Sequence, residues 1–415
     1  MSALNITRVS GAMMVGPASL FAGGIAGAWY GPSDLSTLFQ DSAGTTPVTT
    51  AGQPVGLMLD KSGRANHAAQ AIAAARPIYQ TSPDRITVNK VDDRLSVTVP
   101  VGGFTGTMVL ATDQGTASYG VTIPAGDYDI GGRGGLYFPG NAIVGQVIRN
   151  GALSDGEAAA TEAYFVANGA TAGYGSVTDF SRYWQDWSEI TSFPLIDTSS
   201  GTNFALAWYR CLRLTSFPLI DTSAGTDFER AWFGCGGLAS FPLIDTSSGT
   251  DFGNAWRDCS SLTSFPLIDT SSGTNFRDAW VNCSSLTSFP LIDTSSGTNF
   301  ALAWVNCSSL TSFPLIDTSS GTNFYAAWYN CSSLTTIPAG LFDNVKGGDF
   351  TDAFTSTALT QTSIDNILVS LVASGIATGT RVFGQSGGSA PSAAGEAAID
   401  TLRSRGWTVT VTGGY

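Results

Sequence analysis

The sequence has a single histidine, His67, in 415 residues, and 19 lysines and arginines against 32 acidic residues. At a formal net charge of −13 it lacks the clustered cations that nucleic-acid phosphates or an anionic membrane surface require. No apolar run is long enough to be expected to cross a bilayer. Residues 11–28 resemble a secretory leader only weakly, because Pro17 and several glycines interrupt them and Arg8 is the one flanking cation. No H-E-x-x-H, phosphate-binding loop or G-x-S-x-G occurs. None of the 6 cysteines forms a C-x-x-C pair, so no zinc site is expected. Coiled-coil heptads are absent too. Gly131-Gly132-Arg133-Gly134-Gly135 reads as a hairpin, since no Lys-Ser/Thr follows. The paired carboxylates Asp92-Asp93 and Asp127 with Asp129 suit glycan hydrolysis in principle and are equally ordinary in turns. A lone histidine in a Gly/Asn/Ala loop completes a thin catalytic inventory. The chain reads as a non-enzyme without cofactor or metal.

What is abundant is repetition. The run Thr-Ser-Phe-Pro-Leu-Ile-Asp-Thr-Ser returns every 24 residues from Thr191, with Ala239 opening one copy. Phe193, Phe217, Phe241, Phe265, Phe289 and Phe313 mark the copies, and every cysteine keeps the same interval from Cys211 to Cys331. A period of this size means a solenoid, in which each unit buries its apolar face only against its neighbours. Within one unit, Phe276, Ala279, Trp280 and Cys283 fall at i, i+3, i+4 and i+7, the spacing of one face of a short helix. Thr274 or Asn275 is its expected N-cap. Leu286, Phe289 and Leu291 fit the L-x-x-L-x-L spacing of a leucine-rich repeat strand. Proline at 194, 218, 242, 266, 290 and 314 cannot donate to a ladder, so strand pairing is expected only in the three or four residues before it.

Two polar columns follow from the period. Stacked thiols read as small, apolar, reduced side chains, as in a reducing cytoplasm. Stacked carboxylates at Asp197, Asp221, Asp245, Asp269, Asp293 and Asp317 either share cations or accept from the N–H groups of their own Thr-Ser-Ser-Gly turns. The turn chemistry favours the second.

The copies differ from one another between the Phe and Trp columns and just after Trp, at positions off the apolar face and so expected in solvent. Tyr209, Arg210, Phe233, Arg257, Arg277, Tyr325 and Tyr329 are the candidate recognition surface, the aromatics being suited to stacking on sugar rings.

The flanks supply ends. Phe180, Trp184, Trp187 and Ile190 occupy the phases of a seventh, atypical unit. Leu334 and Ile337 repeat the strand, and Phe350, Ala353 and Phe354 the helix. Residues 363–373 and 393–405 read as helices, 380–383 and 407–411 as strands. Upstream, strands are expected at 86–88, 95–99, 106–111, 119–123 and 143–149. A helix over 154–168 follows, with Ser154 as cap and Glu157 at its third position. The reading is an α/β solenoid: a leucine-rich-repeat-like stack of 24-residue strand–turn–helix units, after a β-rich domain and before an α/β cap. Its divisions are 1–84 (attachment), 85–172 (β-rich with closing helix), 173–360 (solenoid) and 361–415 (cap).

Two resemblances rest on these residues. Asn-Cys-Ser-Ser-Leu-Thr-Ser-Phe-Pro at 282–290 is similar to the cysteine-containing leucine-rich repeats of BspA-like bacterial surface proteins, over about residues 175–360. The likeness implies a curved right-handed solenoid used in adhesion, although here proline comes earlier in the unit and Trp stands where that group often has Phe. Residues 28–41 (Ala-Trp-Tyr-Gly-Pro-Ser-Asp-Leu-Ser-Thr-Leu-Phe-Gln-Asp) and 59–68 (Leu-Asp-Lys-Ser-Gly-Arg-Ala-Asn-His-Ala), with Arg76-Pro77 and Val91-Asp92-Asp93, resemble bacteriophage tail-fibre-type virion proteins. That likeness implies a virion component, assembled in the host cytoplasm, whose partners are other virion proteins and a host cell-surface glycan or protein. Whether copies associate is left open. The alternatives are a decorating or cementing virion protein whose solenoid packs on other subunits and, behind it, a bacterial adhesin.

Overall fold

A computed structural model describes residues 17–81, 84–87, 95–99, 104–112, 116–123, 126–130, 142–150, 153, 155–167, 170, 174–376 and 381–415. Asp92-Asp93, Gly131–Gly135, Ser154 and Thr380, named above, lie outside the described residues. The chain divides into two compact units, Met1–Ile130 with Gly140–Ala172, and Gly131–Pro139 with Gly173–Tyr415.

The first unit is antiparallel β. Its strands are β1 (Gly27–Tyr30), β2 (Leu38–Phe39), β3 (Leu57–Met58), β4 (Ala68–Ala69), β5 (Ile78–Gln80) and β6 (Arg85–Thr87). They continue as β7 (Leu95–Val99), β8 (Phe104–Thr112), β9 (Thr116–Ile123), β10 (Gly126–Ile130) and β11 (Ala142–Asn150), before helix α1 (Asp155–Ala167). One sheet runs β9-β8-β11-β6-β5 with β1 also on β11, and the other runs β10-β7-β4-β3-β2. Residues before and after position 85 therefore share both sheets. Phe165 of α1 packs with Leu20, Phe21, Trp29, Val109, Ala111 and Val147 to close the core. The segments read as virion-like form a lock around Asp60. Its carboxylate accepts from the backbone N–H of Trp29 (2.9 Å), Ser62 (2.8 Å) and Asn66 (3.1 Å). The Asp60 N–H donates to His67 Nδ1 at 3.0 Å, so the single histidine serves as an acceptor in this loop. Lys61 pairs with Asp34 at 2.9 Å and lies over the Trp29 ring.

The second unit is a stack of 24-residue coils. The Phe, Ala, Trp and Cys columns are all fully buried, as the apolar quartet requires. Rings of successive coils stack: Phe228 on Phe252 at 5.5 Å, Trp232 on Trp256 at 5.5 Å and Trp256 on Trp280 at 5.4 Å. Each Cys Sγ–H donates to a Trp carbonyl of the preceding coil, as Cys283 does to Trp256 O at 3.2 Å.

The expected helix is not there. The arc from Phe204 to Cys211 is a series of tight turns, in which Ala207, Tyr209 and Cys211 N–H groups bond three residues back. The alternate N–H groups leave the arc. Phe204, Leu206, Trp208 and Arg210 donate to Asp227, Glu229, Ala231 and Phe233 carbonyls of the next coil, at 2.6–2.8 Å. An α-helix needs those same N–H groups for its own i−4 carbonyls, so coil-to-coil bonding excludes it. Every fourth residue takes a positive φ: Leu206 at 59°, Arg210 at 58°, Asp278 at 57°, Asn282 at 61°. Asn, Asp and Gly tolerate that region best, which accounts for Gly234, Asn254, Asp258, Asp278, Asn282, Asn306 and Asn330 in these two columns. Asn275 caps a turn instead of a helix, its Oδ1 accepting from Arg277 N–H at 3.1 Å.

Strand pairing is also shorter than expected. β12 (Ile190–Ser192) opens the series, and the coils then meet through single parallel bridges, such as Ser192 with Ser216 and Ser288 with Ser312. A second line of bridges runs Asp227–Asp251–Asn275–Asn299–Asn323. The leucine-rich-repeat spacing is off by one residue: Ile292 is 1% exposed and Leu291 is 60% exposed. Each aspartate of the Asp197 column accepts from its own turn. Asp245 Oδ1 takes Ser247 N–H at 3.0 Å and Ser247 Oγ–H at 2.7 Å. Hydroxyl donation from Ser199 holds the Asp197 carboxyl below its ordinary value. Glycine closes the turn because the Phe ring lies on it; a Cβ at Gly273 would sit 2.5 Å from Phe276 Cζ.

Both ends of the stack are covered. Phe180 and Trp184 each stack at 5.3 Å on Phe204 and Trp208, and buried Trp187 holds the thiol phase. At the other end Phe350, Ala353 and Phe354 lie in a strand, not a helix: β13 (Phe350–Phe354). Asp349, Thr351, Ala353 and Thr355 carbonyls accept the outgoing N–H groups of Phe324, Ala326, Trp328 and Asn330. β13 then pairs in parallel with β14 (Arg381–Gln385), and β14 with β15 (Trp407–Thr410). Helices α2 (Gln361–Ala373, capped by Thr360) and α3 (Ala393–Ser404, capped by Ser392) complete the cap.

Candidate binding surface

The variable positions fall in four columns, one residue per coil in each. Two of these columns line a surface trough. One wall is Gln185, Tyr209, Phe233 and Arg257; the other is Arg182, Leu206, Arg230 and Asn254. The trough encloses about 570 Å³. Tyr209 and Phe233 stack on each other, with centroids 4.9 Å apart and planes 25° apart, and both are half-buried. The Arg257 guanidinium covers Phe233 at 5.8 Å and is fixed by a 2.9 Å bond to Asp278 Oδ1. Arg277 Nε donates to the other oxygen of Asp278 at 3.1 Å. Asp278 is 7% exposed, so this carboxylate is a clamp beneath the surface. A second depression of about 550 Å³ adjoins, sharing Arg230, Asn254 and Arg257 and adding Arg277 and Asp278.

The structure thus brings together Tyr209, Phe233, Arg257 and Arg277 of the expected surface. Arg210 sits in the adjacent column, exposed and loosely paired with Asp186 at 3.7 Å. Tyr325 and Tyr329 are exposed, 41% and 39%, but lie on a later coil, away from the trough. Not all variable positions face solvent, as was expected of them. Asp278, Val281, Ala301 and Ala326 are buried, because a turn arc points alternate residues differently from a helix face.

Two features escape a reading of the repeats alone. Arg182 and Gln185 belong to the atypical first unit, where only their interval of 24 from Leu206 and Tyr209 marks them. Leu195, Leu219, Leu243, Leu267, Leu291 and Leu315 form an exposed apolar column, each 51–76% exposed, where the strand pattern placed a core residue. Among the described residues no group of three or more His, Cys, Asp or Glu side chains could hold a metal ion, and no helix is long and apolar enough to cross a membrane. The Asp127 and Asp129 side chains, like Asp92-Asp93, lie outside what is described.

Compared with protein-family models, curated proteins and solved structures, the chain matches none.

Proposed function

We propose that the coil stack is a display scaffold for recognition, and that the chain is a tail-fibre or spike-type structural component of a bacteriophage virion that binds a host cell-surface glycan or protein. The observation that carries the recognition reading is the contrast between columns. Core and turn columns are almost uniform, whereas the variable columns gather a stacked aromatic pair and several arginines in one trough. Half-buried aromatics beside planar guanidinium groups are the residues that bind most strongly when a partner dries them. The virion assignment rests on the likeness of residues 28–41 and 59–68, the loops that close around Asp60.

The test uses the full chain on an array of printed bacterial surface polysaccharides. Retention on at least one polysaccharide is expected, with a loss of about tenfold or more when Tyr209 and Phe233 are both replaced by alanine. No retention, or retention indifferent to those substitutions, rejects the trough as the recognition site.

A second reading has its own observation. The exposed leucine column suits a decorating or cementing protein packed on neighbouring subunits, since contiguous apolar surface marks interaction sites. A thiol-reactive label on Leu267→Cys separates the two: it reacts in the assembled particle if the stack is displayed, and is protected if the stack is cement.

A further inference from the structure

We propose that the ligand of the trough is an acidic polysaccharide, its anionic oxygens (carboxylate or phosphate) held by Arg182 and Arg230 while a ring lies along Tyr209 and Phe233. The inference rests on the recognition reading above and narrows it. Charge placement is the first observation. The chain carries a net charge of −13, yet Arg182, Arg230 and Arg257 line the trough with no carboxylate among its lining residues. From Asp278 to Val345 there is no lysine or arginine at all. The trough is thus a local cationic site on an acidic protein, and it attracts anions that the remaining surface repels.

The state of each arginine is the second. Arg257 is tied to Asp278, and Arg230 meets Glu229 at 3.2 Å in an exposed pair of small worth. Arg182 makes no ion pair among the described residues and is exposed. Its planar fork suits a carboxylate or phosphate held by two bonds.

The third observation separates a saccharide from a peptide. Peptides commonly bind as an added strand, which needs free backbone groups at an edge. Here the N–H groups of Arg182, Leu206, Arg230 and Asn254 are already bonded to the next coil at 2.8–3.0 Å. Recognition must come from side chains. An aromatic wall opposite a cationic wall matches a pyranoside, with its apolar C–H face and charged substituent.

The experiment measures binding of the full chain to oligogalacturonate, its methyl-esterified form, a phosphodiester-linked hexopyranose polymer and poly-glutamate, by calorimetry at low salt. The expected result is binding of oligogalacturonate, the phosphate polymer or both, with the bound member naming the source of the anion. The neutral ester and poly-glutamate bind at least about tenfold more weakly, and Arg182→Gln and Tyr209→Ala each weaken the anionic saccharide about tenfold. Both substitutions are at the surface, and unchanged melting confirms that the variants fold. Equal binding of the neutral ester overturns the charge assignment, and equal binding of poly-glutamate overturns the saccharide. In either case retention on the array sensitive to Tyr209 and Phe233 leaves the recognition reading standing. Failure of both anionic polymers, while a neutral printed polysaccharide is retained, overturns this inference alone.

Discussion

Replacing Trp256 by alanine is expected to destabilise the coil stack by about 3–5 kcal/mol, the range for removing a fully buried large aromatic. Trp256 is 0% exposed and touches three coils through its ring. It stacks on Trp232 at 5.5 Å and Trp280 at 5.4 Å, and meets the edge of Phe265 at 4.8 Å. In a one-dimensional array each coil is stabilised only by its neighbours, so a cavity here weakens two interfaces together. The indole Nε1 has no hydrogen-bond partner among the described residues, so Trp256→Phe gives up volume and no bond. It should lose clearly less than the alanine variant. Denaturant unfolding followed by far-ultraviolet circular dichroism checks both. An alanine variant within about 1 kcal/mol of the parent would contradict the stacked core.

The second large effect is alkaline. Burial raises the Cys235, Cys259, Cys283 and Cys307 thiols well above the ordinary thiol range, and raises Cys331 to about 12. In the unfolded chain a thiol titrates near about 8.5. Between those values the folded protein holds more protons than the unfolded one, so stability falls as pH rises. The contribution is fully present below about 8.5 and is lost progressively towards 12, at about 1.4 kcal/mol per thiol per pH unit at most. Five thiols acting together should produce cooperative unfolding at about pH 10. Iodoacetamide should leave the native protein unmodified at pH 8 and modify all 6 cysteines in denaturant. Rapid labelling of the native state, or stability that is flat from pH 8 to about 11, would show that the thiols are not sealed in the stack.

The period, the buried columns and the two ends were legible because burial depends on spacing alone. Phe276, Ala279, Trp280 and Cys283 lie inward whether the chain runs as a helix or as linked turns, since both curve around the same side. The quartet therefore could not distinguish them. The distinguishing signal lay in residues that pack nothing: Asn and Asp at the fourth positions, which mark a left-handed backbone. The one-residue offset between Leu291 and Ile292 was hidden for a related reason. Both are apolar, and hydrophobic spacing alone does not decide which faces in. The trough was half legible. Tyr209 and Phe233 announced themselves as variable aromatics, but Arg182 became a neighbour only through the register of a unit with little sequence likeness to the others.

The direction of the bonds between coils has a further consequence. In the arc the alternate N–H groups all point towards the following coil, and each junction from Phe204 to Asn330 repeats this backbone pattern. A coil is therefore interchangeable with its neighbour at both faces, and only the aromatic first unit and strand β13 are specialised. Removing or duplicating one coil in register leaves the backbone bonds and ring stacks of every remaining junction unchanged and alters only contacts between variable side chains, such as Arg257 with Asp278. The reach of the molecule can accordingly change in whole steps, each carrying its own four variable side chains, without redesign of the core.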